Sequence, residues 1–439
     1  MFGITRKADI QSMVADRAAA PFLQVYASEF HARDPELGQG LAELSPDDRP
    51  LQMRSAAELG PQMPAPEADF VLSMLLAPSL LDGLADAVLA ARASGRRTTL
   101  IVAITHAQLT ALGQWLTKRG NENRLGGMRL LLAPNAESVV RQLPQRLGAV
   151  IEENLIRMPV STEVENSPMR NFYAFSPELQ ALTARIRGYA ANGIHRTYLL
   201  GGPGSGKTTL AYYYYLVRDR GRFVSVNLAA ENTGDKAAVK SLLCGHVSGA
   251  FPGAGSRTGA FSHARDGVCF IDESHGITGP VMEVLMEAFD NGQFLPFGAS
   301  AKQSLECAIV FATNRSWESL QNSVNIDEFT RIGAATLSVP ELYKREEDMI
   351  AVVATTLSKL ASRCTTWAEP KGLSEDAWMR VKNCRWHGNI RALVRVLESA
   401  FVDYGVRGGD TLLQVDEIDA GIRLWEPANH HSHQIYAVA

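Results

Sequence analysis

The feature that most constrains this chain is Gly201-Gly202-Pro203-Gly204-Ser205-Gly206-Lys207-Thr208. It follows the short apolar run Thr197-Tyr198-Leu199-Leu200 and precedes the helix-like Leu210–Val217. This is the GxxxxGK[ST] pattern in its required setting, a strand before and a helix after. Glycines let backbone N–H groups converge on phosphate oxygens, and the helix N-terminus adds its positive end. Lys207 is expected to reach the β- and γ-phosphates of ATP. The Thr208 hydroxyl, with Thr209 beside it, is expected at the Mg²⁺. A loop of this kind commits the segment to a parallel sheet with covering helices.

Two further strand ends carry chemistry. Val268-Cys269-Phe270-Ile271 delivers Asp272 and Glu273, one to hold Mg²⁺ and one to polarise the attacking water as general base. Ala308–Ala312 ends in Thr313-Asn314, polar residues placed to contact a γ-phosphate, the sensor position of AAA+ ATPases. Trp386-His387-Gly388-Asn389-Ile390-Arg391 opens a helix and puts Arg391 where a lid arginine meets nucleotide.

From about Ser176 to Phe401 the chain resembles the AAA+ domain of bacterial enhancer-binding proteins, which activate RNA polymerase carrying sigma-54. Ser176-Pro177-Glu178-Leu179-Gln180, Val226-Asn227-Leu228-Ala229-Ala230, Cys244–Ala254, Arg331–Met349 and Trp386–Arg391 carry the likeness, collinear along the chain. The resemblance implies an ATP- and Mg²⁺-dependent ATPase that works as a homo-oligomeric ring, most often a hexamer. It implies that Asn227 pairs with the catalytic Glu273, and that Arg331 acts in trans on a neighbouring subunit's nucleotide. It places Phe251 and Pro252 at the tip of the loop that contacts the client. Three positions depart from the family. Pro252 stands where the signature loop has threonine, Asn325 where the first trans arginine falls, and Thr208 where the family usually has glutamate after the lysine.

The fold class expected is α/β. An AAA+ P-loop NTPase, with a parallel sheet, covering helices and a helical lid, follows a smaller α/β regulatory domain. The boundaries read as 1–155 for the amino-terminal domain with a loop-like, mobile 32–68, then 156–175 as linker, 176–340 as the nucleotide-binding subdomain, 341–407 as the lid and 408–439 as a tail. Strands are expected at 70–77, 98–105 and 128–134, with helices between them. A phosphate-accepting receiver needs carboxylates at these strand ends. The residues there are Ala77-Pro78-Ser79, Thr105-His106 and Pro134-Asn135, so phosphorelay is not expected. The domain is expected to regulate, and its removal to alter turnover without abolishing it.

Lys+Arg 43 against Asp+Glu 47 leaves a net charge of −4 and no global field that draws the chain onto nucleic acid. Few basic residues follow Phe401, so direct DNA binding is not expected. Five cysteines without a CxxC pair suit reduced thiols and a cytoplasmic location. No apolar run is long enough to cross a membrane. The function expected is ATP-driven remodelling of a protein client through Gly249–Ala254. The alternatives are sigma-54 polymerase activation itself, without an own DNA-binding domain, and a nucleotide-dependent assembly switch or scaffold.

Overall fold

A computed structural model describes residues 20–427, apart from 47–48, 61–62, 149, 151–152, 163, 165, 229–234, 275–276, 278, 316–317, 319–334 and 410. Its first sheet has five parallel strands: β1 (Leu23–Ala27), β2 (Leu51–Ser55), β3 (Phe70–Met74), β4 (Thr99–Ile104) and β5 (Met128–Leu132). Their order is β2-β1-β3-β4-β5. Helix α1 (Pro35–Ala42) lies between β1 and β2, α2 (Leu81–Ala93) between β3 and β4, α3 (Leu109–Thr117) between β4 and β5, and α4 (Ala136–Gln142) follows β5. β3, β4 and β5 are buried along their whole length, which explains their continuous apolar sequences.

The segment 32–68 is more ordered than its composition suggests. Asp34 caps α1 by accepting the Glu36 and Leu37 N–H groups at 3.1 and 3.3 Å, and Pro35 supplies a preset φ in the first turn. Leu37 and Leu41, one turn apart, are its only buried residues, too few to show as periodicity. β2 is a half-buried edge strand. The strand order is that of flavodoxin-like folds, the receiver CheY among them. The strands end on Ala27, Met74, Ile104 and Leu132 rather than on carboxylates. Among the described residues no group of three or more His, Cys, Asp or Glu could hold a metal ion.

β6 (Leu155–Pro159) and β7 (Met169–Tyr173) pair antiparallel within the stretch expected as a linker. Then follow α5 (Pro177–Ala191), β8 (Arg196–Leu200), α6 (Lys207–Arg218), β9 (Phe223–Asn227), α7 (Lys236–Cys244), β10 (Gly245–His246), β11 (Arg257–Thr258), β12 (Val268–Asp272), α8 (Gly279–Asn291), β13 (Gln293–Phe294), β14 (Gln303–Ser304), β15 (Ala308–Thr313) and β16 (Ala335–Ser338). The second sheet is parallel in the order β16-β8-β15-β12-β9. Tyr213 and Tyr214 of α6 are buried and Tyr212 and Tyr215 partly so, as residues that pack on both sides of a helix.

The lid comprises α9 (Glu346–Ala361), β17 (Gly372–Leu373), α10 (Glu375–Lys382), α11 (Asn389–Val406), β18 (Leu412–Leu413) and α12 (Val415–Trp425). The expected tail therefore belongs to the lid as far as Trp425: β18 pairs with β17, and Ile418 and Ile422 are buried in its core. His430, His431 and His433 lie outside the described residues.

The amino-terminal domain and the lid share one hydrophobic core. Leu112, Trp115 and Leu116 of α3 belong to the same cluster as Met349, Ile350, Val353 and Leu357 of α9, and as Leu393, Val396 and Ile418 beyond. The helices approach so closely that a Cβ at Gly113 would stand 1.9 Å from the Ala354 carbonyl oxygen. Thr110 Oγ1 donates to the Pro370 carbonyl at 2.5 Å and its N–H to that of Lys371 at 3.0 Å. A removable regulatory unit would not be built into its neighbour's core in this way.

Candidate nucleotide site and projecting loop

The Gly201–Thr208 loop lies at the carboxyl edge of the second sheet. Gly204 and Gly206 take φ of 68° and 105°, open to glycine at little cost. At Gly206 a Cβ would also stand 2.2 Å from the Phe172 ring of β7. Lys207 opens α6, and its Nζ donates to the Gly201 and Gly202 carbonyls at 2.8 and 3.1 Å. Burial lowers the Lys207 pKa; the charges of Asp272 and Glu273 oppose that shift, and Arg391 adds to it. Asp272, Glu273 and Arg391 thus all lie within electrostatic reach of Lys207. Thr208 and Thr209 occupy the first turn of α6, Thr209 buried and Thr208 partly open.

Asp272 ends β12 and faces Asn227, the last residue of β9, in the strand register. Its Oδ1 accepts the Glu273 N–H at 2.9 Å. Glu273 holds φ at 51°, a left-handed backbone that a non-glycine residue keeps only where its surroundings enforce it. Thr313 ends β15 between these strands and β8. It is fully buried, its carbonyl accepts the Gly201 N–H at 3.1 Å, and its Oγ1 accepts the Arg315 N–H at 3.2 Å. Asn314 is exposed beside it. Arg391 sits in the first turn of α11, exposed, against the phosphate loop: a Cβ at Gly204 would stand 2.9 Å from Arg391 Cβ. Arg331 and Asn325 lie outside the described residues.

Asn389 was not singled out as a site residue. It is buried with φ at 48°; Nδ2 donates to the Pro203 carbonyl at 3.1 Å and Oδ1 accepts the Leu342 N–H at 2.8 Å. It ties loop to lid, and its signal was the Gly-Asn pair directly before Ile390-Arg391. The donor set fits nucleotide and metal. Glycines leave no Cβ in the cradle, a hydroxyl and a carboxylate suit Mg²⁺, and Lys207 and Arg391 place two cations beside the loop.

Some distance along the chain, β10 and β11 pair antiparallel and carry the tip 247–256. Gly249 N–H donates to the Ala254 carbonyl at 3.0 Å and Ala254 N–H to that of Phe251 at 2.9 Å. Residue 252 donates in neither bond, so proline is accommodated at the tip. Phe251 is 42% exposed, with its ring 5.0 Å from His246 and 6.2 Å from Phe297. His246 Nδ1 lies 2.8 Å from Ser241 Oγ, a structural contact. The neighbouring β13–β14 hairpin is stitched to the loop. Phe297 N–H donates to the Gly245 carbonyl at 2.8 Å, and Val247 N–H to that of Phe297 at 3.1 Å. Phe294 is buried, so of this hairpin's aromatics it is Phe297 that reaches the tip.

Sheet, phosphate loop, acid-bearing strand and helical lid define a P-loop NTPase module of the AAA+ type. Residues 172–338 match the model of the sigma-54 interaction domain. The Nif-specific regulatory protein of Herbaspirillum seropedicae is 31% identical over 234 residues, 52% of this chain and 42% of that one. The psp operon transcriptional activator of Escherichia coli K12 is 30% identical over 212 residues, 47% and 64% of the two chains. NtrC of Azospirillum brasilense is 29% identical over 52% and 47%. The chain spans about half the length of the curated relatives it matches. Crystalline NtrX of Brucella abortus aligns over 92% of this chain and 85% of its own, with 18% identity and a TM-score of 0.49. No helix among the described residues is long and apolar enough to cross a membrane.

Proposed function

We propose that the protein is an ATP-hydrolysing activator of sigma-54 RNA polymerase that works as a homo-oligomeric ring, a hexamer. The observation that carries the reading is the convergence of Lys207, Asp272, Glu273 and Thr313 at one sheet edge within the segment that matches the sigma-54 interaction domain. Bound Mg²⁺ would be held by Thr208 and Asp272 and would draw charge off the γ-phosphate. Lys207 and the Gly201–Gly206 amides bind and orient the phosphates. Glu273 takes the proton of the attacking water, and Asn227, beside Asp272, holds Glu273 until the client engages. Thr313 and Asn314 orient that water, Arg391 reads the nucleotide from the lid, and Arg331 acts across the subunit boundary. Phe251 and Pro252 touch the polymerase.

The test is ATP turnover and promoter opening by the full chain with sigma-54 polymerase. Lys207→Ala should lose nucleotide binding, while Glu273→Gln should bind ATP without hydrolysis. Mixing Lys207→Ala with Arg331→Ala subunits should restore part of the turnover, because a mixed interface holds one intact site. Wild-type turnover by Glu273→Gln would sink the assignment. A second reading, a diverged protein client, rests on Pro252. Polymerase that ignores the ring while ATP is hydrolysed would favour it.

A further inference from the structure

Directly behind the phosphate loop lies a charged side chain that the nucleotide chemistry does not use. Arg345 precedes α9 and is 0% exposed. Its Nη2 donates to the Ser205 carbonyl at 3.4 Å, across 140 residues of sequence. Nη1 stands 4.0 Å from Asp348 Oδ2, and neither Nε nor Nη1 has a hydrogen-bond partner among the described residues. A buried guanidinium is costly, and its retention calls for a role. Burial lowers the Arg345 pKa against the opposing charges of Asp348 and Glu178.

The next turn points two ways. Asp348 Oδ1 accepts the Phe175 and Ser176 N–H groups at 2.6 and 3.1 Å, fixing the start of α5. Glu347 turns to the other side and accepts from Arg129 of β5. The same residue takes the Leu130 N–H at 3.0 Å. One helical turn thus touches the phosphate loop on one side and the amino-terminal sheet on the other.

We infer that Arg345 is a positioning residue for the phosphate loop, holding Ser205 from behind, and that the amino-terminal domain fixes its reach through the Arg129–Glu347 pair. The inference rests on the ATPase reading for its consequence, not for its geometry. With the Ser205 carbonyl held, its peptide unit keeps the orientation that aims neighbouring N–H groups at phosphate. Lysine at 345 keeps the charge but lacks the planar fork and the reach of Nη2.

The experiment uses the full chain, a fluorescent ATP analogue with Mg²⁺, and amide hydrogen exchange. Arg345→Lys should bind the analogue about tenfold more weakly while turnover at saturation changes little, a KM effect. Glu347→Gln should weaken binding in the same direction, and the double variant should be non-additive. In both, exchange at residues 201–208 should rise while residues 223–227 keep wild-type protection. Unchanged affinity and unchanged loop exchange in Arg345→Lys would overturn the role of Arg345. Strict additivity would overturn the link to the amino-terminal domain. If the variants are globally loosened, exchange rising equally in both segments makes Arg345 merely structural and also overturns it. A wild-type chain that binds no nucleotide would refute the ATPase reading instead, and loop exchange would still decide the positioning role.

Discussion

Arg129 of the first sheet and Glu347 of the lid form a buried, two-pronged ion pair across 218 residues of sequence. Nη2 lies 2.5 Å from Oε1, and Nε lies 3.0 Å from both carboxylate oxygens, with 5% and 2% of the two side chains exposed. Arg146 Nε adds a contact to Oε1 at 3.5 Å. Because the pair is enclosed, removing Glu347 strands Arg129 in a low-dielectric site, and removing Arg129 leaves Glu347 only the more distant Arg146.

Arg129→Met or Glu347→Leu alone should therefore cost about 3–5 kcal/mol of stability. The double change Arg129→Met/Glu347→Leu should recover much of that loss, since it leaves no lone buried charge. Urea unfolding measures both. A double variant as unstable as the worse single would show that packing, not the stranded charge, sets the cost.

Removal of residues 1–160 should damage the lid rather than release it. The deletion uncovers Met349, Ile350, Val353 and Leu357 of α9, all now buried in the shared core. The truncated chain should aggregate or lose protection in α9 and α11 by hydrogen exchange. A soluble truncation with a protected lid and wild-type turnover would contradict the shared-core view.

Nucleotide affinity should fall on the alkaline side earlier than a free lysine predicts. The fold lowers the Lys207 pKa below its ordinary 10.5, so its charge is lost at lower pH than in the unfolded chain. Phosphate binding favours the charged form, so affinity holds below the folded pKa and declines as pH rises through it. Stability moves the other way: the penalty of burying the ammonium is full below that pKa and fades as pH climbs toward 10.5. Titrating analogue binding from about pH 7 to 10 checks this, and Lys207→Met should show a flat, weak profile.

Phe251→Ala should uncouple hydrolysis from promoter opening, because the loop lies outside the phosphate site. Turnover should stay within about twofold of wild type, as for surface changes remote from a site. Phe297→Ala should act in the same direction, since its ring supports Phe251. Pro252→Thr should preserve or raise polymerase activation; lost activation with intact turnover would point to a diverged client. Full activation by Phe251→Ala would make the loop a structural element only.

The nucleotide module was legible in the sequence because its chemistry is local. Glycine spacing, an apolar strand and a lysine at a helix start each leave a short-range mark, and strand β12 delivers Asp272 and Glu273 by its length alone. Asn389 left only a Gly-Asn pair, and its bonds to Pro203 and Leu342 reach across 186 and 47 residues. Strand β2 and helix α1 were hidden for a different reason. Short elements with two buried residues, or with a half-buried edge, generate no readable period. The closing helix α12 was read as part of a tail, because its membership of the lid depends on packing against α11. The sequence by itself thus determined the P-loop fold and which residues that fold brings to one sheet edge, since those are set by backbone geometry within a few residues. Only the tertiary structure decided that the amino-terminal domain is part of the lid's core and that Arg345 stands behind Ser205. Those contacts join residues hundreds apart, and burial, not spacing, selects them.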